Sequence, residues 1–174
     1  GELVCYVTSA SETEIKCNLN GGPGGDYDLG VTVEGKGKVV HSSKFTLLFE
    51  ISSVSPSSGS IYGSTELTIK GKGFSTKPGT MYPQIKNPTN PENNVVCQVK
   101  EVPDSETLVC VTPAITKHFS ADTPCELLLN GRIQAPAECK GTCEFTWANA
   151  KSPSVTSLST TSAQAGDQVT LSGS

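Results

Sequence analysis

The sequence predicts an all-β chain built from Ig-like β-sandwich modules set in tandem. Short Val/Ile/Leu/Thr runs alternate with Gly, Pro, Asn and Ser clusters, and no long stretch keeps a helical period. Seven cysteines in 174 residues point to a disulfide-bonded protein. A series of cysteines, apolar residues and glycines recurs in order after about a hundred residues, the size of one sandwich module.

Alternation gives the strand faces. Leu67 and Ile69 share one side of 66–70, as do Val95, Cys97 and Val99 of their segment, and Val31 and Val33 of theirs. The repeat matches Cys5, Val7 and Cys17 to Cys97, Val99 and Cys110. It then matches 31–35 to 127–131, Phe45 and Leu47 to Phe145 and Trp147, Ile51 and Val54 to Val155 and Leu158, and 67–71 to 169–173. Three parts follow: 1–49, the C-terminal half of one module; 50–150, a complete module; and 151–174, the N-terminal part of a third. Leu3 to Val7 open in mid-strand, so the chain is expected to be a segment of a longer one.

No CxxC pair occurs, and His41 and His118 lie far in sequence from any cysteine cluster, so zinc is not expected. Cys5 with Cys17, and Cys97 with Cys110, each close a short hairpin-like segment and are expected to be bonded. In the loop-entropy picture each bond contributes about 3 kcal/mol. Cys139 and Cys143 flank a glycine-containing turn and are expected to bond to each other, with Cys125 left reduced in the core at the place of Leu29. A bridge from Cys125 to Cys139 or Cys143 is the competing arrangement.

The residues Ile51, Val54, Pro56 and Gly59, then Gly63, Thr65, Leu67 and Ile69, then Gly71, Gly73 and Phe74 resemble the IPT/TIG family of Ig-like domains, of E-set type. The likeness continues through Cys97 and Val99 to Leu108, Cys110 and Pro113, and it touches all three parts. The third part departs from the pattern, with Thr160 for the proline and Ala163 for the glycine. Within the family, closely abutting modules and the ending Cys139, Cys143, Phe145, Trp147 resemble the long extracellular arrays of the fibrocystin type. That resemblance implies a large single-pass protein on the extracellular face of the plasma membrane, at an apical, ciliary or stereociliary surface. It implies adhesion, recognition and spacing through protein contacts, homotypic ones included. A ligand-binding ectodomain segment, as in plexin-like or growth-factor-receptor-like proteins, is the alternative.

Other chemistries find little support. Acidic residues outnumber basic ones 17 to 13 and the net charge is −4, where a nucleic-acid binder needs clustered cations. No apolar run is long enough to cross a membrane, so any membrane contact is expected through a segment outside 1–174. Gly35-Lys36-Gly37 and Gly71-Lys72-Gly73 complete no phosphate-loop motif and read as turns or bulges. Asp26 and Asp28 supply too few oxygens for calcium. They flank Tyr27, which resembles the tyrosine that opens the F strand of Ig-like sandwiches. No Gly-x-Ser-x-Gly motif occurs. The expectation is therefore no enzyme, no catalytic residue, no metal and no cofactor. The proline- and asparagine-rich loop from Met81 to Asn94 is the candidate partner contact, through Tyr82, Gln84, Asn87, Asn90 and Asn93. The apolar 45–51 stretch predicts a stiff joint, and the small polar 148–154 stretch a loose one.

Overall fold

The structure, a computed structural model, describes residues 3–19, 24–131 and 136–174. Four strands come first: β1 (Cys5–Ala10), β2 (Ile15–Leu19), β3 (Gly25–Val33) and β4 (Gly37–Leu47). Ten follow: β5 (Glu50–Ser55), β6 (Ser58–Ser60), β7 (Glu66–Lys72), β8 (Met81–Ile85), β9 (Val95–Val96), β10 (Gln98–Asp104), β11 (Thr107–Val111), β12 (Pro124–Gly131), β13 (Glu138–Thr142) and β14 (Glu144–Ala148). β15 (Val155–Leu158) and β16 (Leu171–Gly173) end the series. Helix among the described residues is confined to two short 3-10 turns, Pro91–Asn93 and Asn149–Lys151.

Residues 50–148 form two five-stranded sheets, in the orders β10-β11-β7-β5-β13 and β6-β14-β12-β8-β9. The period-two pattern explains why they face each other. Leu67 and Ile69 of β7, Leu127 and Leu129 of β12, and Phe145 and Trp147 of β14 are all buried, while their strand neighbours are not. Among the described residues, the buried hydrophobic side chains lie between Ile51 and Trp147, and all but Val109 form one cluster drawn from both sheets.

Two strand pairs cross from one sheet to the other. β5 pairs with β7 in the first sheet, and β6 pairs with β14 in the second. β13 runs parallel to β5, and after Cys143 the chain continues as β14, parallel to β6 and antiparallel to β12.

The flanking strands form three two-stranded sheets: β1-β2, β3-β4 and β15-β16. Their registers duplicate those of the sandwich. Val7 faces Cys17 and Ser9 faces Lys16 across a bulge, as Val99 faces Cys110 and Glu101 faces Val109. Val155 faces Gly173, Ser157 faces Ser172 and Leu158 faces Leu171, again across a bulge. Ile51 with Gly71, Ser53 with Lys70 and Val54 with Ile69 do the same. A β-bulge is a one-residue insertion with a specific place in the ladder, so its recurrence at matching positions is a fine-grained likeness.

Gly35-Lys36-Gly37 is the turn between β3 and β4: Lys36 N donates to Val33 O at 3.0 Å, and both glycines have positive φ. Gly71-Lys72-Gly73 is no hairpin. It ends β7, and Gly73, at φ 75°, lies against Leu48 O and the backbone of Gly24, where a side chain has no room. Gly24 N donates to Gly73 O at 2.8 Å, and Phe49 meets Phe74 edge-on at 6.4 Å. At the other end, Asn149 donates from N and Nδ2 to the Asp122 carboxylate at 3.1 and 2.8 Å. Ser152 Oγ accepts from Ile61 N at 2.9 Å and donates to Ala148 O at 3.0 Å. The stretch predicted to be loose is therefore bonded to the sandwich. Its small polar side chains, taken from sequence as a sign of slack, are the groups that make those bonds.

Ile69→Ala should lower stability by about 2–5 kcal/mol, since the removed atoms leave a cavity in a closed core. Val39→Ala, on an exposed face, should stay within about 0.5 kcal/mol of the parent. Equilibrium urea unfolding followed through Trp147 fluorescence checks both.

Candidate interaction site

The structure holds three disulfides: Cys5–Cys17, Cys97–Cys110 and Cys139–Cys143, with Cα separations of 5.4, 5.7 and 6.1 Å. Cys97 lies where the chain leaves β9 for β10, so its bond to Cys110 braces a crossing between sheets. Cys139–Cys143 spans the turn at which β13 gives way to β14. There Gly141 lies too close to Ser52 O for a side chain.

Cys125 is a free, buried thiol. Burial first, and the Glu144 charge second, push its pKa up, so the thiolate is scarce near neutral pH. The strand register revises its alignment. Cys125 faces Phe145 as Tyr27 faces Phe45, so by cross-strand partner it stands at the place of Tyr27, not of Leu29. A bulge after Asp28 shifts the two ladders and hides this in the linear repeat. The glycine-rich approach to Tyr27 lies partly outside the described residues.

The five residues of the predicted contact loop separate into two groups. Tyr82 and Gln84 stand on the outer face of the second sheet, because their neighbours Met81, Pro83 and Ile85 fill the inner one. Tyr82 donates from its hydroxyl to Gly79 O at 2.5 Å. Gln84 faces Val96 across one ladder and Leu128 across the other, and accepts from Asn130 Nδ2 at 3.5 Å. Asn90 is exposed and caps the 3-10 turn, accepting from Glu92 N at 2.9 Å; Asn93 is half-buried.

Asn87 departs from the prediction. It is 1% exposed and turned inward. Its Oδ1 accepts from Thr89 N, Thr89 Oγ1 and Asn90 N at 3.0, 2.8 and 2.8 Å, while its Nδ2 donates to His118 O at 2.5 Å. An asparagine can replace a whole turn's worth of backbone partners, and here that capacity goes to the loop's own backbone and to His118 O. Asn87 shapes the loop and cannot meet a partner.

The sequence reading missed Val96, which is 54% exposed, and Asn130, which joins Tyr82 and Gln84 on the same face. Lys86 and Glu126, paired at 2.9 Å, border it. The outward alternation of Glu126, Leu128 and Asn130 along β12 was the available signal. The result is an uncharged patch, aromatic, amide and aliphatic, with an ion pair at its rim. Such a surface offers stacking, amide hydrogen bonds and apolar contact to another protein. Among the described residues, no group of three or more His, Cys, Asp or Glu side chains is arranged to hold a metal ion. Asp26 Oδ1 instead accepts from Thr46 Oγ1 at 2.7 Å.

Asn87→Ala should cost about 1–3 kcal/mol by stranding the Thr89, Asn90 and His118 backbone groups, with faster amide exchange confined to 86–94. Cys125 should resist alkylation in the native protein at neutral pH and react fully once it is unfolded, read by intact mass.

Comparison with known proteins agrees with this architecture. The IPT/TIG domain family matches residues 50–146. Human fibrocystin-L is 28% identical over 171 residues, which is 91% of this chain and 4% of that protein. Mouse fibrocystin-L is 28% identical over 99% of this chain, again 4% of its own length, and mouse fibrocystin is 30% identical over 66% of this chain. The solved TIG domain of human nuclear factor of activated T-cells, cytoplasmic 4, has a TM-score of 0.39 at 20% identity, over 61% of this chain and 94% of that one. IPT/TIG is a family of Ig-like interaction domains. With two five-stranded sheets closed over one core, and the family match covering nearly all of that sandwich, the chain belongs to the IPT/TIG domain family.

Proposed function

We propose that this chain is a stretch of a tandem IPT/TIG array that spaces and presents protein-contact surfaces on the outside of a cell. Residues 1–49 are the C-terminal half of one module, 50–150 a complete module, and 151–174 the opening of a third. The carrying observation is the recurrence of ladder registers, bulges included, in β1-β2 and in β15-β16. Three disulfides support an oxidising, extracellular setting. The likeness to fibrocystin-L supports a large cell-surface protein, of which the chain spans 4% of the relative's length. An apical, ciliary or stereociliary site is the finer form of this reading. The partner is another protein, and the contact face is Tyr82, Gln84, Val96 and Asn130, with Asn90 and Asn93 at its margin.

A photo-crosslinking amino acid at Tyr82 should give protein-protein adducts when the chain is applied to living cells. The same label at Lys36, in the β3-β4 turn, should give none. Equal yield from both positions, or none at Tyr82, would remove this face from the proposal.

A further inference from the structure

A hollow of about 180 Å³ opens on the complete sandwich, between the 76–79 turn and β10 at the edge of the first sheet. Its floor is apolar. Met81 comes from β8, and Val99 and Val102 come from β10. The two valines stand three apart, a spacing that sets side chains of a regular strand on opposite faces. β10 bulges between Val99 and Glu101 and again before Asp104, and both valines pack against the core. The turn that forms the other wall is held by its own bonds. Lys77 N donates to Ser75 Oγ at 3.3 Å, and Thr80 Oγ1 donates to Lys77 O at 2.6 Å. Gly79 O accepts from the Tyr82 hydroxyl, so the hollow adjoins the Tyr82 face and shares its tyrosine.

The charges around the mouth are unequal. Lys100 is taken up by Glu66, at 2.6 Å. Glu101 faces Val109, which is buried outside the core cluster, so its carboxylate is directed over the outer face of the first sheet. Lys77 is exposed, and among the described residues no carboxylate pairs with its ammonium.

We propose that this hollow receives one aliphatic side chain of a partner protein, and that Lys77 meets an Asp or Glu carboxylate beside that side chain in the partner's sequence. The proposal deepens the protein-contact reading above and rests on it. Size selects the occupant: small-molecule sites begin at about 300 Å³, whereas about 150 Å³ holds a molecule as small as benzene. A single side chain therefore fits. Its burial on Met81, Val99 and Val102 supplies the affinity. The unpaired ammonium favours an acidic neighbour and disfavours a basic one. Because the turn is already bonded in place, little ordering is needed on contact.

Titration of the 1–174 chain with capped dipeptides, followed by methyl NMR, tests this. Acetyl-leucyl-glutamyl amide should shift the Met81, Val99 and Val102 methyl signals and saturate. Acetyl-alanyl-glutamyl amide should bind about tenfold more weakly, having lost most of the apolar contact. Acetyl-leucyl-lysyl amide should bind several-fold more weakly, as befits an exposed charge pair. Lys77→Glu should reverse the preference between the two leucyl peptides, and Lys77→Arg should keep it. No methyl shift with any peptide, equal affinity for all three, or a preference that Lys77→Glu leaves unchanged would each overturn the assignment. The photo-crosslinker at Tyr82 separates this from the reading beneath it. Adducts on cells without any peptide-induced shift count against the hollow alone. Peptide-induced shifts without adducts count against the Tyr82 face alone.

Discussion

Aromatic residues make up 6% of the chain, and the sandwich depends on where it puts them. Trp147 is fully buried on β14, with Phe145 two positions before it and Phe119 reaching in from the loop ahead of β12. The rings meet at 5.5 and 4.9 Å in edge-on arrangements. The indole N–H would be stranded at this depth, but it donates to Pro113 O at 3.1 Å. One side chain thus joins the sheet of β14 to the segment that leaves β11. The aliphatic residues of β7, β11 and β12 complete the interior around this cluster.

Two of the disulfides act where the chain crosses between the sheets. Cys97–Cys110 is wholly interior and braces the passage from one sheet to the other. Cys139–Cys143 braces the opposite passage, between β13 and β14, with Cys143 buried near Ile51 O and Cys139 facing solvent. Chain crossings between sheets interrupt the backbone ladder, so covalent support there compensates for hydrogen bonds the ladder cannot make. Cys125, by contrast, sits near the start of β12 opposite Phe145, within the β12-β14 ladder, and it serves as a small apolar side chain.

Much of this was legible from residue types alone. Alternation identified the inward faces of β7 and β12, because a half-buried strand must obey a period of two; on β3, Leu29 and Val33 are exposed. Other features depended on contacts remote in sequence. The division of the last strand into β13 and β14 follows from which earlier strand each half meets, and no local pattern announces it. Asn87 looked like a solvated loop residue because its composition is that of a loop, while its partner His118 is distant in sequence. Ser152 and Asn149 carried the same ambiguity: small polar side chains mark slack when they face water and fixed joints when they find Ile61 N or Asp122. The face of Tyr82 and Gln84 was half seen. Val96 and Asn130 belong to it by sheet order, which becomes visible only once β8 is known to lie between β9 and β12.

The parallel pairing of the first and last strands has a geometric consequence for any chain built this way. Glu50 lies beside Glu138 and Ser60 beside Ala148, so the backbone enters the sandwich at one pole and departs from the other. Antiparallel pairing would have returned the exit to the entrance, and successive units would have doubled back or splayed. Here the β5-β6 edge carries the backbone roughly 30 Å from entry to exit at the rise of an extended strand. In a chain that repeated this unit, each repeat would begin at the pole where the one before it leaves, and added repeats would extend the chain without returning it to its start.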